Sequence, residues 1–250
     1  MSEYRTAIAS HRGGAFLWPE NSLSAFRQTA MLPVEQAECD VHPSADGDPV
    51  ILHDATLERT TDGRGPVAGL STAEVRRHRI RGGGGEGVPL LADMLALLQG
   101  TSIDPRIEVK ADLLGRAYPG FLPRVLDVLD RQGARGRSWI IAFDAPTAAE
   151  AAAAGGLAGV AWLLEATTWR SLGMRGTIAV AHGYGFPEIG VHESLLDAEA
   201  CAALRMAGLR ISVWGANHEA SIRRMLGLGI DVLTTDDPPL AVALRSRGGR

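Results

Sequence analysis

Three acidic residues occupy apolar, strand-like segments, where a carboxylate is unusual. Residues i and i+2 of a strand point to one face, so Glu38 and Asp40 project together while Cys39 points to the opposite face. Glu108, on a later segment, shares its face with Lys110 in the same way. Ionised carboxylates inside a protein are costly unless other charges compensate them. The pattern therefore indicates either a bound divalent cation or ion pairs with arginines.

The ligand types favour a hard cation. Carboxylate oxygens suit Ca²⁺ or Mg²⁺ better than zinc, and the two cysteines, Cys39 and Cys201, lack the CxxC spacing that is typical of zinc sites. Pairing with arginines explains one buried carboxylate more easily than three carboxylates at strand ends. We therefore expect Glu38, Asp40 and Glu108 to bind a single divalent cation, Ca²⁺ or Mg²⁺.

Two histidines and two fixed positive charges lie at or just beyond the ends of the same strands. His11 and His53 fit general acid–base catalysis, because an imidazole takes or gives a proton near neutral pH, although a single histidine in such a place is more often structural. Arg12 and Lys110, the only lysine among 25 basic residues, suit an anionic phosphate oxygen. Trp214 ends a later strand, either as a half-buried aromatic or as a wall that contacts substrate.

Short β-type runs alternate with helical stretches along the chain, and this alternation must position these residues. Strands are predicted at residues 6–10, 36–41, 50–52, 106–110, 138–143, 160–163, 177–180, 189–192, 209–214 and 231–233. Helices are predicted at residues 22–30, 90–98, 121–129, 147–154, 219–226 and 239–244. Repeated βα units predict a parallel sheet with crossover helices, either open or closed into a barrel.

One segment, residues 56–87, interrupts this alternation. It is polar and rich in glycine, and its only helical pattern covers residues 72–79 behind a candidate cap at Ser71. Insertions of this length over a barrel are typically functional loops, so we expect a short cap. No proline-rich linker or long charged run divides the chain, and residues 1–250 are predicted to form a single domain.

Composition excludes several classes of protein. With 46% hydrophobic and 22% charged residues the chain is not intrinsically disordered, and at net charge −4 without a basic run it is not expected to bind nucleic acid. The longest apolar run, residues 151–164, is shorter than the ~20 residues that span a bilayer. Residues 1–10 lack a signal-peptide pattern. We expect a cytoplasmic protein without stable membrane insertion, whose oligomeric state the sequence does not indicate.

The chemistry-bearing residues stand in motifs that resemble the signature of the glycerophosphodiester phosphodiesterase family. The resemblance runs from about residue 8 to residue 240, and residues 145–200 contribute little to it. Its motifs are His11-Arg12-Gly13, Pro19-Glu20-Asn21, Glu38-Cys39-Asp40-Val41, Asp46-Gly47, His53-Asp54, Leu57 with Arg59-Thr60-Thr61, Val88-Pro89, Ile107-Glu108-Val109-Lys110, Phe143-Asp144, Val213-Trp214, Asn217, Gly229-Ile230-Asp231 and Thr235-Asp236.

The resemblance implies a (β/α)8 TIM-type barrel with its active site at the C-terminal face. The short cap expected at residues 56–87, after the second strand, differs from the longer insertion of some periplasmic relatives. The resemblance also implies hydrolysis of a glycerophosphodiester, a small-molecule substrate from lipid metabolism, to glycerol phosphate and an alcohol. The implied roles are metal binding for Glu38, Asp40 and Glu108, acid–base catalysis for His11 and His53, substrate or phosphate binding for Arg12, Lys110 and Trp214, and support of the His11-Arg12 loop for Glu20 and Asn21.

The sequence departs from the family pattern at two places. Residues 33–37 lack the usual glycine before the second-strand acidic motif, and Gly215-Ala216 replace the more typical Thr-Val after Trp214. Two alternatives stay open: a related barrel enzyme for lysophospholipids or another phosphodiester, and a non-catalytic binding barrel. The polar cap favours a small soluble substrate, and the intact set of site residues favours catalysis. The attacking oxygen is that of water or of the glycerol 2-hydroxyl.

Overall fold

All but one of the strand-like runs of the sequence form one closed sheet in the computed structural model, which describes residues 5–248. Eight of its nine strands run parallel, and the sheet closes because the first strand pairs with both the second and the last. The strands are β1 (Ala7–Ser10), β2 (Gln36–Pro43), β3 (Pro49–Ile51), β4 (Asp104–Val109), β5 (Trp139–Ala142), β6 (Gly159–Leu164), β7 (Glu188–His192), β8 (Arg210–Trp214) and β9 (Val232–Thr235). The predicted (β/α)8 barrel is confirmed.

Helices connect the parallel strands, and several begin where the sequence supplies a side-chain cap. Ser22, Asp144 and Asp197 each accept a hydrogen bond from the backbone N–H three residues later. The helices are α1 (Leu23–Thr29), α2 (Thr72–Arg77), α3 (Leu91–Leu98), α4 (Phe121–Arg131), α5 (Ala145–Ala154), α6 (Ala166–Tyr184), α7 (Ala198–Met206), α8 (Glu219–Leu228) and α9 (Pro238–Gly248).

The strand predicted at residues 177–180 is wrong, because these residues lie in α6. Their β-branched side chains favour a strand locally. A parallel barrel, however, needs a crossover helix between β6 and β7, and Thr177 and Ala181, four residues apart, form the buried side of that helix. Tertiary packing therefore overrides local propensity here. Gly173, at φ +62°, breaks the helical geometry midway along α6.

The segment of residues 56–87 packs on the barrel instead of extending from it. Strand β3 is antiparallel to β2 and carries the chain back along β2 from the end of that strand. Helix α2 begins with a reciprocal cap in which Ser71 and Glu74 each bond the other's backbone N–H. Val50, Leu57 and Val75 belong to a small buried apolar cluster of this region.

The main apolar core lies between the sheet and the surrounding helices. Because strand side chains alternate, Ile107 and Val109 point outward into this core, whereas Arg106 and Glu108 point into the barrel. At the base of the interior, Arg106 and Glu188 form an ion pair of 2.7 Å between side chains that are 1% and 0% exposed. A charged layer therefore lies below Glu108.

Residues 1–4 and 249–250 of the predicted domain, and with them the first four residues of the N-terminal segment 1–10, lie outside the described part of the chain. Within residues 5–248, no helix combines the length and the apolar character that crossing a membrane requires.

The buried pair of Arg106 and Glu188 yields a test of barrel stability. Glu188→Ala leaves the guanidinium buried without its 2.7 Å partner, which typically costs about 3–5 kcal/mol. The control is Glu219→Ala, whose 2.8 Å pair with Arg223 is 59% and 50% exposed, and such surface pairs contribute about 0–1 kcal/mol. Urea unfolding followed by circular dichroism should show a large midpoint shift for Glu188→Ala only. Equal shifts would contradict this role for the pair.

Candidate active site

Three carboxylates meet at the C-terminal ends of β2 and β4. One oxygen from each of Glu38, Asp40 and Glu108 lies within 4.8 Å of the others, and all three residues are buried. The strand register explains the approach, since Asp40 pairs with Glu108 across the sheet. Glu38 Oε1 and Asp40 Oδ1 are buried and have no hydrogen-bond partner within residues 5–248. The cluster therefore offers inward-facing oxygens of the type that a hard cation binds.

The surroundings of Glu38 and Asp40 shift the pKa values of these two carboxyl groups in opposite directions. Burial, with the charge of neighbouring Asp40 adding to it, raises the pKa of Glu38 to about 8. Burial also acts to raise the pKa of Asp40, but the positive charges of Lys110 and Arg12 outweigh it and hold that pKa well below its usual range. Three ionised carboxylates this close repel one another strongly. A divalent cation is a fitting compensation, so the residues present fit the predicted metal.

Lys110 is the cation nearest to the cluster. Its Nζ lies 2.6 Å from Glu108 Oε1 and 3.4 Å from Asp40 Oδ1. Burial alone would lower the pKa of Lys110, but the charges of Glu108 and Asp40 outweigh burial and raise it. The ammonium is therefore permanently charged at the edge of the carboxylate cluster.

His11 is held by a carboxylate from the last strand's end. Its Nδ1 lies 2.6 Å from Asp236 Oδ1, and Asn217 Nδ2 donates to the other oxygen of Asp236 at 2.6 Å. Asn217 Oδ1 also accepts the backbone N–H of Asp236. Burial acts to lower the pKa of His11, but the charges of Glu38 and Asp236 overcome it, and the pKa is raised.

His53 is held in the same manner by its own neighbour. Its Nδ1 lies 2.7 Å from Asp54 Oδ1. Hydrogen bonds from Arg59 are the main reason that the pKa of Asp54 falls to about 2, so this carboxylate stays ionised as an acceptor. An ionised carboxylate can only accept a hydrogen bond, so each histidine carries its proton on Nδ1. Its Nε2 is then the nitrogen that is available for proton transfer.

Arg12 has a strained backbone conformation, and both its backbone and its side chain contact residues of the site. Its φ of +51° is in the left-handed region, which non-glycine residues rarely adopt. In this conformation its N–H donates to Glu38 Oε2 at 2.9 Å, and its carbonyl accepts the N–H of Asn21. Asn21 Nδ2 in turn donates to Asp40 Oδ2 at 2.8 Å. The Arg12 side chain reaches Glu20 at 3.2 Å and Asp40 at 3.3 Å.

Arg59, from the cap, joins the two sides of the site. Its guanidinium donates to both oxygens of Asp54 at 2.7 and 2.9 Å and to both oxygens of Glu20 at 2.8 Å. Asp54 holds His53, and Glu20 contacts Arg12. Arg59 therefore positions both Asp54, which holds His53, and Glu20, which contacts the phosphate-binding candidate Arg12.

A cavity of about 760 Å³ opens beside these groups. It brings together most of the sequence-predicted site residues, whereas Asp40, Glu20 and Asn21 lie behind its wall and contact the residues that line it. Trp214 lines the cavity, and the ring of His192 packs edge-on against it at a centroid distance of 4.7 Å. The predicted residues on the cavity wall are His11, Arg12, Glu38, His53, Glu108, Lys110 and Trp214.

Sequence reasoning missed four residues that support the site. Asp236, Asn217 and Arg59 stood in recognised motifs without an assigned role. His42, to which the sequence motifs assign no role, is buried. Its Nε2 contacts the His53 carbonyl oxygen at 3.0 Å, and its Nδ1 contacts the Tyr118 hydroxyl. Burial lowers the pKa of His42 to about 4, so it is neutral. Its position two residues after Asp40 on one strand was the available signal.

Comparisons with known proteins agree with this geometry. The model of the glycerophosphoryl diester phosphodiesterase family matches residues 11–240. A glycerophosphodiester phosphodiesterase from Caldanaerobacter subterraneus is 26% identical over 98% of this chain and 100% of that protein. A crystal structure of a candidate glycerophosphoryl diester phosphodiesterase from Agrobacterium tumefaciens shares 34% identity, with a TM-score of 0.95 over 98% of this chain and 99% of that one.

A more distant structure shares the fold. It is an Oleispira antarctica phosphodiesterase in complex with the product sn-glycerol-3-phosphate, with 20% identity and a TM-score of 0.84 over 97% of this chain and 98% of that one.

The double role of Arg59 is testable. Arg59→Gln frees both Asp54 and Glu20, so we expect kcat on a glycerophosphodiester to fall roughly 10- to 100-fold, as misplacement of catalytic groups typically causes. The matched control is Arg76→Gln, because the Arg76–Asp93 pair (45% and 27% exposed) resembles the Arg59–Asp54 pair (46% and 30%) but lies outside the cavity lining.

A double-mutant cycle sharpens this test. If Arg59 acts through Asp54, the losses in kcat from Arg59→Gln and Asp54→Asn are not additive, because both changes release the same histidine. Additive losses, or an equal effect of Arg76→Gln, would contradict the role of Arg59.

Proposed function

Because the chain belongs to the glycerophosphoryl diester phosphodiesterase family, we propose that this site hydrolyses glycerophosphodiesters to a glycerol phosphate and an alcohol. The observation that carries the proposal is the arrangement of His11 and His53, each tied through Nδ1 to a carboxylate, on the wall of one cavity that also holds the carboxylate cluster.

The three carboxylates are proposed to hold one divalent cation, Ca²⁺ or Mg²⁺. Their proximity within 4.8 Å and their burial support this assignment, as does the lack of a hydrogen-bond partner within residues 5–248 for Glu38 Oε1 and Asp40 Oδ1. Such a cation supplies neutralisation of the phosphate charge and polarisation of phosphorus. Both ions prefer oxygen ligands, and the donor set suits either.

The proposed binding of phosphate uses the two fixed cations of the site. Arg12 and Lys110 both line the cavity, and both contact Asp40 of β2 from the ends of its two neighbouring parallel strands, β1 and β4. The guanidinium and the ammonium would hold two phosphate oxygens and orient phosphorus towards the histidines. Glu20 and Asn21, which contact Arg12 through its side chain and its backbone, keep that group in place.

Proton transfer falls to the two histidines. In the proposed reaction one Nε2 accepts the proton of the attacking oxygen as its bond to phosphorus forms. The other histidine, protonated at Nε2, gives its proton to the alcohol oxygen as the bond from phosphorus to that oxygen breaks. The carboxylates of Asp236 and Asp54 fix the ring orientations and stabilise the positive charge that each imidazole carries in turn.

A lysophospholipid is the second candidate substrate, and one observation favours it. Phe16, Leu17, Leu113 and Leu114 are exposed on the loops that follow β1 and β4, at the face where the cavity opens. Apolar side chains around a cavity mouth suit contact with an acyl chain. Release of choline from lysophosphatidylcholine, measured beside release from glycerophosphocholine, tests this candidate.

The proposed metal yields the first test of this function. Treatment with EDTA should abolish hydrolysis of glycerophosphocholine, and added Ca²⁺ or Mg²⁺ should restore it. Asp40→Asn should lose binding of the restoring cation in calorimetric titration, because a buried ligand is removed. Glu199→Gln, an exposed change on α7, is the control and should bind the cation normally. Full turnover after chelation would rule out the metal.

The histidines yield the second test. His11→Ala and His53→Ala should each lower kcat roughly 10²–10⁴-fold, the usual contribution of a positioned acid or base. His182→Ala is the control, because this exposed histidine on α6 lies outside the cavity. Circular dichroism should show that all three variants are folded. Turnover near the wild-type value in either cavity variant would remove that histidine from the mechanism.

A further inference from the structure

The cavity has two halves of different chemistry. The catalytic half is the wall that β9, β1, β2 and β4 build, together with His53 after β3. The aromatic half is the wall that β5, β6 and β8 and their following loops build. Among the described residues that line the cavity, every Lys, Arg and His belongs to the catalytic half. The aromatic half contributes Phe143, Asp144, Leu163, Glu165 and Trp214.

Two carboxylates of the aromatic half, Glu165 and Asp144, line the cavity, and they differ in their contacts. Glu165 stands at the N-cap position of α6, but its side chain makes no capping hydrogen bond. It is exposed at the cavity wall, and within residues 5–248 it has no hydrogen bond or ion pair through its carboxylate. Asp144 differs, because its Oδ2 caps α5 by accepting from both the N–H and the hydroxyl of Thr147. Glu165 is therefore free to meet a cation from solution.

Two aromatic rings lie in the same half. Phe143 and Trp214 are 6.1 Å apart between ring centroids with an interplanar angle of 80°, so they form an angled corner. His192 supports Trp214 from the side, and Gly215 leaves room for this contact, since a Cβ at that position would lie 2.5 Å from His192 Nε2. Aromatic faces attract a cation within about 6 Å, and quaternary ammonium groups are recognised in this way.

We infer that the aromatic half receives the alcohol end of the diester and selects a cationic alcohol, choline or ethanolamine, through Glu165, Phe143 and Trp214. This inference rests on the proposed function, in which Arg12 and Lys110 hold the phosphate in the catalytic half. A zwitterionic diester carries negative charge at phosphorus and positive charge at the far end of the alcohol. Arg12, Lys110 and a cation held by the carboxylates would face the phosphate, and Glu165 would face the charged end of the alcohol. Its volume of about 760 Å³ is within the usual range for small-molecule sites.

The test compares two diesters that differ in the charge of the alcohol. We measure kcat/KM for glycerophosphocholine and for glycerophosphoglycerol, whose alcohol is neutral, and take the ratio of the two. Glu165→Gln should lower this ratio roughly 3- to 10-fold, a modest change because solvent screens an exposed carboxylate. Glu165→Lys should lower the ratio further, since it replaces attraction by repulsion. Phe143→Leu, which keeps apolar volume but removes the ring, should lower it as well.

Glu199→Gln on α7 is the charge-matched control and should leave the ratio at the wild-type value. If the wild-type protein hydrolyses both diesters and Glu165→Lys leaves the ratio unchanged, the inference is overturned while the proposed function stands. If the wild-type protein hydrolyses no glycerophosphodiester and no lysophospholipid, both fall. Cleavage of lysophosphatidylcholine with the same dependence on Glu165 supports the inference and identifies a lipid as the source of the choline group.

Discussion

Repulsion among three buried carboxylates is the constraint on which the rest of this site depends. Glu38, Asp40 and Glu108 lie within 4.8 Å of one another at the top of the barrel, where water screens their charges little. The surrounding structure answers this repulsion in two ways. Lys110 and Arg12 place fixed positive charge against Asp40, and burial beside Asp40 raises the pKa of Glu38 to about 8. A site that gathers so much negative charge is suited to a divalent cation.

Charge compensation also holds the groups around the carboxylate cluster, because each of them contacts a partner that carries the opposite charge. Asp236 holds His11, Asp54 holds His53, and Arg59 binds the supports of both His53 and Arg12. Arg59 comes from the cap, so docking of that segment contributes directly to the geometry of the active site. A strained backbone at Arg12 is tolerated because Glu38 and Asn21 satisfy its N–H and carbonyl groups.

The closed barrel lines one cavity with two walls of different chemistry. This arrangement bears on which alcohol the site would select. The strands that carry the carboxylate cluster, His11 and Lys110 are neighbours around the barrel, whereas Phe143, Glu165 and Trp214 lie at the ends of β5, β6 and β8. Under the proposed function, the phosphate and the alcohol of a diester would therefore contact different walls. The two walls are joined at one point, because Asn217, in the loop after β8, donates to Asp236, which holds His11.

The sequence by itself determined the direction of side chains along each strand. The alternation of β2 and β4 sufficed to predict that Glu38 and Asp40 share a face with each other, and Glu108 with Lys110, because a strand has a period of two residues. Only the tertiary structure decided which distant residues meet. Asp236 reaches His11 across 225 positions of sequence, and the segment around Thr177 becomes a helix because the barrel requires a crossover there. Local periodicity encodes direction, whereas contacts such as those of Arg59 depend on how the closed sheet and its loops bring remote segments together.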